Sequence, residues 1–182
     1  MKKFFFLLCA CGLCSSFLGC STTIYPIRGQ YETSTQTTTT IAYDQVWNNI
    51  IDFFAENNIP IGTLSKDSGL ISATNISLPN SVVDVEDKDG NISDQNAWFV
   101  LPYFNGFKVV DGRATCTFNV RVRQMEDGTT KIQINLSNLI GYYDIETFNS
   151  LSFKKEIIQN TYPRDCKSTG QFEKNLFKLF TK

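Results

Sequence analysis

The sequence predicts an α+β domain: an antiparallel β-sheet of about 4–6 strands with two helices packed on one face. Three observations carry this. Apolar residues recur at helical spacing twice, once early in the folded region and once at its end. Between them, two stretches alternate apolar and polar residues with period two, and the joints hold the Gly, Asp and Asn that tight turns need. The expected order is β-α-β-β-β-β-α.

Residues 36–42 open the folded region as a strand, since threonine suits a pleated surface, or else they continue the leader. Asp44 then precedes Val46, Trp47, Ile50, Ile51 and Phe54, one apolar stripe on a helix running to about Asn57. Asn57, Asn58 and Pro60 stop it. A strand over 59–64, a turn through Lys66, Asp67, Ser68 and Gly69, and a strand over 70–76 form a hairpin. Ala114, Cys116, Phe118, Val120 and Val122 alternate with Arg113, Thr115, Thr117, Asn119, Arg121 and Arg123, a half-buried strand. Asp127 and Gly128 turn the chain, and Ile132, Ile134 and Leu136 return with their even-numbered residues inward. The chain closes on a helix capped by Ser168 or Thr169, with Leu176, Phe177 and Phe180 at core spacing.

Ahead of the domain, Lys2 and Lys3 precede an apolar stretch from Phe4 to Leu18, the n-region and h-region of a secretion signal over residues 1–19. A spanning helix needs about 20 predominantly apolar residues, and this run gives way to Cys20, Ser21, Thr22 and Thr23. Phe17, Leu18, Gly19 and Cys20 resemble a lipobox, in which the cysteine is acylated and becomes the mature amino terminus; cleavage at Cys11 or ordinary signal cleavage are the alternatives. Each buried methylene of an acyl chain contributes about 0.8 kcal/mol, so several chains anchor stably. Residues 20–35, rich in Thr, Ser and Gln, read as a lipidated cysteine and loose tether, and 36–182 as one domain with a long insert at about 79–112. Ser21 is not the aspartate of the inner-membrane retention rule, so the resemblance implies the outer membrane, with the domain on its periplasmic side.

Charge excludes one class of partner. Of 17 basic and 18 acidic residues, the signal removes Lys2 and Lys3 and no acid, leaving 15 against 18. A mildly acidic chain without a basic cluster argues against nucleic acid. The expected partners are the membrane, through the lipid, and an envelope protein.

Catalytic chemistry is bounded in the same way. The chain has no histidine, which removes Ser-His-Asp and Cys-His mechanisms and histidine-bearing zinc sites. Asp84, Glu86, Asp87, Asp89, Asn91 and Asp94 are dense enough in oxygen to consider calcium. With Gly90 in the sixth place of an EF-hand loop, however, Val85 falls on the first, and a solvated turn explains the run equally. No cofactor and no metal is therefore expected. The acids Asp144 and Glu146 leave a carboxylate hydrolase nominally open.

Two surfaces are candidates for binding. Trp98, Tyr103, Phe104 and Phe107 could line a groove for sugar or peptide, or could anchor the insert on the core. The polar strand face ending in Arg121 and Arg123 could be plain solvent-facing sheet, or could dock a partner's carboxylates. Cys116 and Cys166 remain once the signal is cut and Cys20 acylated; in an oxidising periplasm they are expected to pair, the alternative being two separately buried thiols.

The run Tyr43, Asp44, Val46, Trp47, then Asn58, Ile59, Pro60, Ile61, then Lys66, Asp67, Ser68, Gly69, Leu70, Ile71 resembles the small envelope lipoproteins of Bacteroides-type bacteria, similar in layout to the helix-grip repeats of BamC. Residues 168–173 extend the resemblance to the closing helix. It implies a BamC-like domain without enzymatic activity. The expectation is thus a noncatalytic protein-binding or scaffolding lipoprotein, with a ligand-binding protein as the alternative and a hydrolase behind both.

Overall fold

The computed structural model describes residues 23–78, 82–105, 108–149, 154–159 and 163–182. In chain order these form β1 (Thr23–Ile24), β2 (Gln36–Thr39), α1 (Tyr43–Glu56), β3 (Thr63–Ser65), β4 (Leu70–Leu78), β5 (Val83–Val85), β6 (Phe99–Leu101), β7 (Phe104–Asn105), β8 (Lys108–Gln124), β9 (Thr130–Asn149), β10 (Lys154–Gln159), β11 (Arg164–Asp165), β12 (Lys167–Ser168) and α2 (Gln171–Phe180). Among the described residues the fold is α+β, with mostly antiparallel pairing and two helices.

The principal sheet has seven strands rather than the expected 4–6. It runs β10-β9-β8-β4-β3, and β2 and β11 also pair along β9. The spine is the β8–β9 hairpin, whose alternation buries Ala114, Cys116, Phe118, Val120 and Val122 against Ile132 and Ile134. Phe118 is the hub. Phe54 of α1 stacks on it at 5.4 Å, and Phe172 of α2 meets it edge-on at 5.5 Å. Val46, Trp47 and Ile50 complete the buried stripe of α1, and Leu176, Phe177 and Phe180 that of α2. Asn49 joins the helices by donating to the Phe180 carbonyl at 3.2 Å. Helix starts differ from expectation: α1 begins after Ala42, and the N-cap of α2 is Gly170 at φ 87°, where a Cβ would strike the Glu32 backbone. Ser168 supports that turn by accepting from the Gly170 N–H at 3.0 Å and donating to buried Glu173 at 2.7 Å.

Two bulges crease the sheet at one level. In β4, Thr74 and Asn75 stand opposite Thr117, and in β9, Asn138 and Leu139 stand opposite Cys116. Asn75 and Asn138 take φ of 55° and 50°, a left-handed conformation that asparagine tolerates better than most residues. Each extra residue inverts the alternation. Along β9 the inward residues are Ile132 and Ile134 before the bulge, but Gly141, Tyr143 and Ile145 after it.

Beyond the crease the insert builds a second layer. β5 and β6 pair in parallel, β12 pairs with β6, and this small sheet lies over the far half of β8 and β9. Leu101 and Phe104 form a second core there with Tyr143 and Ile145. Gly141 makes the approach possible, because a Cβ would overlap the fully buried Leu101 side chain. Residues 23–35, expected as a loose tether, lie along the domain. β1 pairs with β7, and the buried carboxylate of Glu86 accepts from the N–H groups of Arg28 at 2.8 Å and Gly29 at 2.9 Å and from the Tyr31 hydroxyl at 2.8 Å.

Candidate functional site

The exposed end of the open sheet face carries the first candidate site. Odd-numbered residues of β8 face away from the helices, half-buried at Thr115, Thr117 and Asn119 and exposed at Arg121 and Arg123. The 66–69 turn folds against this end, held by the Val122 N–H donating to the Gly69 carbonyl at 2.8 Å. Between the turn, the start of α1 and the end of β8 lies a cleft of about 640 Å³, bordered by Tyr43, Asp44, Lys66, Arg121 and Arg123. Tyr43 donates to the Lys66 carbonyl at 2.6 Å, and the Lys66 ammonium pairs with Asp44 at 2.8 Å. That hydrogen bond raises the lysine above its ordinary value. Lys66 thus has its counter-ion. Neither Arg121 nor Arg123 has a hydrogen-bonding or ionic side-chain partner among the described residues, so two planar cationic forks remain available for carboxylates. The sequence singled out both arginines; it read Lys66 only as a turn residue, because its part in the cleft comes from folding 55 positions onto another strand, a placement no local spacing records.

The aromatic candidates divide. Trp98 packs on Phe172 of α2 at 5.2 Å, and Phe104 is buried against Tyr143 at 5.3 Å, so both anchor the insert. Tyr103 is half-buried beside Tyr25 at 5.5 Å. Phe107 lies outside the described residues. Among the described residues, Trp98, Tyr103 and Phe104 form no common stacking groove. A second cleft of about 600 Å³ does open beside Tyr103, bordered by Glu86, Asp87, Asn91, Ser93 and Lys108.

No family model, curated protein or solved structure matches the chain. Chemistry at the site therefore rests on its own geometry.

Apart from Glu86, which holds residues 28–31, the acidic run turns its bonded oxygens on its own loop. Asp87 accepts from the N–H groups of Asp89 at 2.8 Å and Asn91 at 2.9 Å, and these bonds, chiefly that from Asn91, hold its carboxyl below the usual range. Asp84 accepts from Ser93 at 3.0 Å and from the Asp94 N–H at 2.7 Å. No group of three or more potential metal ligands is found among the described residues. Asp144 pairs with Arg113 at 2.9 Å, and Glu146 with Lys155 at 2.8 Å and Lys108 at 3.5 Å. The Lys155 hydrogen bond leads the causes that push Glu146 down, so this acid stays ionised and is a poor proton donor.

Cys116 and Cys166 are free thiols here rather than the expected disulfide. Both belong to one core layer, Cys116 inside it and Cys166 against it. Burial pushes their thiols up to about 11 and about 12. Cys20 lies outside the described residues. No helix among the described residues is long and apolar enough to cross a membrane.

Proposed function

We propose that this chain is a noncatalytic envelope lipoprotein, acylated at Cys20 and held on the periplasmic side of the outer membrane, whose domain binds or scaffolds another envelope protein. The observation that carries the binding reading is the cleft at the end of the open sheet face, where Arg121 and Arg123 stand exposed without side-chain partners among the described residues. Two guanidinium groups two positions apart on one strand sit on the same face, a spacing suited to successive carboxylates of an acidic segment. The resemblance of residues 43–47, 58–61 and 66–71 to BamC-like repeats adds support, since the first and last of these segments supply two of the three walls of this cleft.

A photo-crosslinker at Gln124 in the full chain, expressed in its native envelope, tests the reading. One recurring envelope protein should be captured, and the double charge reversal Arg121→Glu with Arg123→Glu should abolish its capture. Capture unchanged by the reversal refutes the proposal. The anchor has its own test, since metabolic fatty-acid labelling should mark the wild type and not Cys20→Ala.

A second reading is favoured by the cleft beside Tyr103, whose volume falls in the range of small-ligand sites and whose polar lining of Asn91, Ser93, Asn105 and Lys108 suits a sugar or peptide. Saturable binding of such a ligand that Tyr103→Ala weakens, with no protein captured at Gln124, would decide for it.

A further inference from the structure

The chain enters the domain already docked. Thr23 and Ile24 pair with Asn105 and Phe104, and the Tyr25 N–H donates to the Tyr103 carbonyl at 3.0 Å. A few residues on, Glu86 clamps the backbone at Arg28 and Gly29. The point at which the body meets its leader is therefore fixed at β1. Cys20 stands three positions before Thr23. Three residues, however extended, span at most about 11 Å. The headgroup layer on one side of a bilayer is roughly 5–8 Å deep, so this reach hardly exceeds it. A domain held by acyl chains on Cys20 has no slack with which to stand clear of the membrane.

We infer that the β1–β7 ribbon is the face on which the domain rests on the phospholipid bilayer, with Ile24, Tyr25 and Tyr103 set among the headgroups. The inference rests on acylation at Cys20 and deepens that reading by assigning an orientation. The side chains suit the place. Ile24 is 39% exposed beside β7, an apolar group at the surface that no neighbour covers fully. Tyr25 and Tyr103 pair their rings at 5.5 Å, and tyrosine, apolar in body and polar at its tip, is enriched where lipid meets water. The Arg28 guanidinium lies 5.5 Å over the Tyr25 ring and gives one donor to the Lys88 carbonyl at 2.9 Å, which leaves N–H groups to face lipid phosphates.

The same orientation sets the height of the arginine cleft. β8 leaves the β7 end at Lys108 and reaches Arg121 thirteen residues later, up to about 45 Å along an extended strand. Resting on β1–β7 turns Arg121 and Arg123 away from the lipid, toward whatever the periplasm presents.

The test uses the full, acylated chain purified from its native envelope and reconstituted in phosphatidylethanolamine/phosphatidylglycerol vesicles. An environment-sensitive fluorophore is placed by Asn105→Cys on β7 and, separately, by Thr23→Cys on β1 as a second proximal site and Glu126→Cys in the β8–β9 turn as the distal one. Wild type carried through the same labelling gives the background from Cys116 and Cys166. Nitroxide-headgroup lipid should remove most of the emission from positions 105 and 23 and little from 126. Acylated, vesicle-bound protein in which the proximal probes are quenched no more than the distal one overturns the orientation while leaving the anchor intact. Intact mass without acyl chains would instead remove the anchor, and the inference with it.

Discussion

Replacing Glu86 by glutamine tests whether a buried carboxylate holds residues 23–33 to the domain. Glu86 is 2% exposed and accepts three hydrogen bonds, two from backbone N–H groups and one from the Tyr31 hydroxyl. Glutamine preserves the shape but has one oxygen where the carboxylate has two. If its NH2 replaces Oε2, the Arg28 N–H faces a donor; if it replaces Oε1, the Gly29 N–H does, although Tyr31 can turn to accept. One backbone donor is orphaned either way. Losing a charge-assisted acceptor and leaving a buried N–H unsatisfied costs about 2–3 kcal/mol in total. Detachment of the segment caps the loss, because a released strand regains water. Amide hydrogen exchange on the mature chain should therefore show Arg28 and Gly29 losing protection by roughly 30- to 100-fold, while amides of β8 beside Phe118 change far less. Wild-type protection at positions 28 and 29 in Glu86→Gln would refute the claim that this carboxylate is the clamp.

Three further outcomes are expected. Phe118→Ala removes the ring against which both helices pack, and urea unfolding should show a loss of about 3–5 kcal/mol; a loss below about 1 kcal/mol would mean the helices close over the gap. Gly141→Ala pushes a methyl into buried Leu101 and should cost about 1–3 kcal/mol, with Leu101→Ala in the same chain restoring part of it; additive losses in the double variant would contradict the contact. Exported to an oxidising compartment, Cys116 and Cys166 should pair, closing a loop of about 50 residues and stabilising by about 4 kcal/mol in the chain-entropy model. Intact mass should rise by two hydrogens on reduction, and a domain that gains none, with both thiols alkylated only after denaturation, would establish the free-thiol state.

Local pattern carried the elements whose partners are near in sequence. The stripe from Val46 to Phe54 places α1 within a residue or so of its ends, and the alternation around Phe118 places β8 and the first part of β9 in the correct phase. The remainder depends on residues that meet from far apart. β9 continues to Asn149, but the bulge at Asn138 inverts its phase, so the simple alternation ends where the strand does not. β5 and β6 are three residues each and are joined in parallel, with β12 arriving from nearly seventy positions later. The threonine-rich leader has the composition of a tether, and only Glu86, 57 and 58 positions from its partners, makes it part of the body. At the candidate site, alternation was enough to put Arg121 and Arg123 outward, whereas the paired Lys66 and Asp44 that frame them come from a turn and a helix start.

The bulges at Asn75 and Asn138 have a consequence for how this chain tolerates change. Downstream of each, inside and outside are assigned by counting. Substituting Asn138 alters one side chain. Deleting it removes the extra residue instead, so that Leu139 alone faces Cys116, the ladder becomes regular, and Gly141, Tyr143 and Ile145 keep their inward face. Length variation in the exposed Glu126–Gly128 turn leaves that count untouched, since the strands on either side are held in register by their own buried faces. Two bulges thus hold one spare residue each, and the inward face of the half of the domain built on the insert outlasts the loss of either.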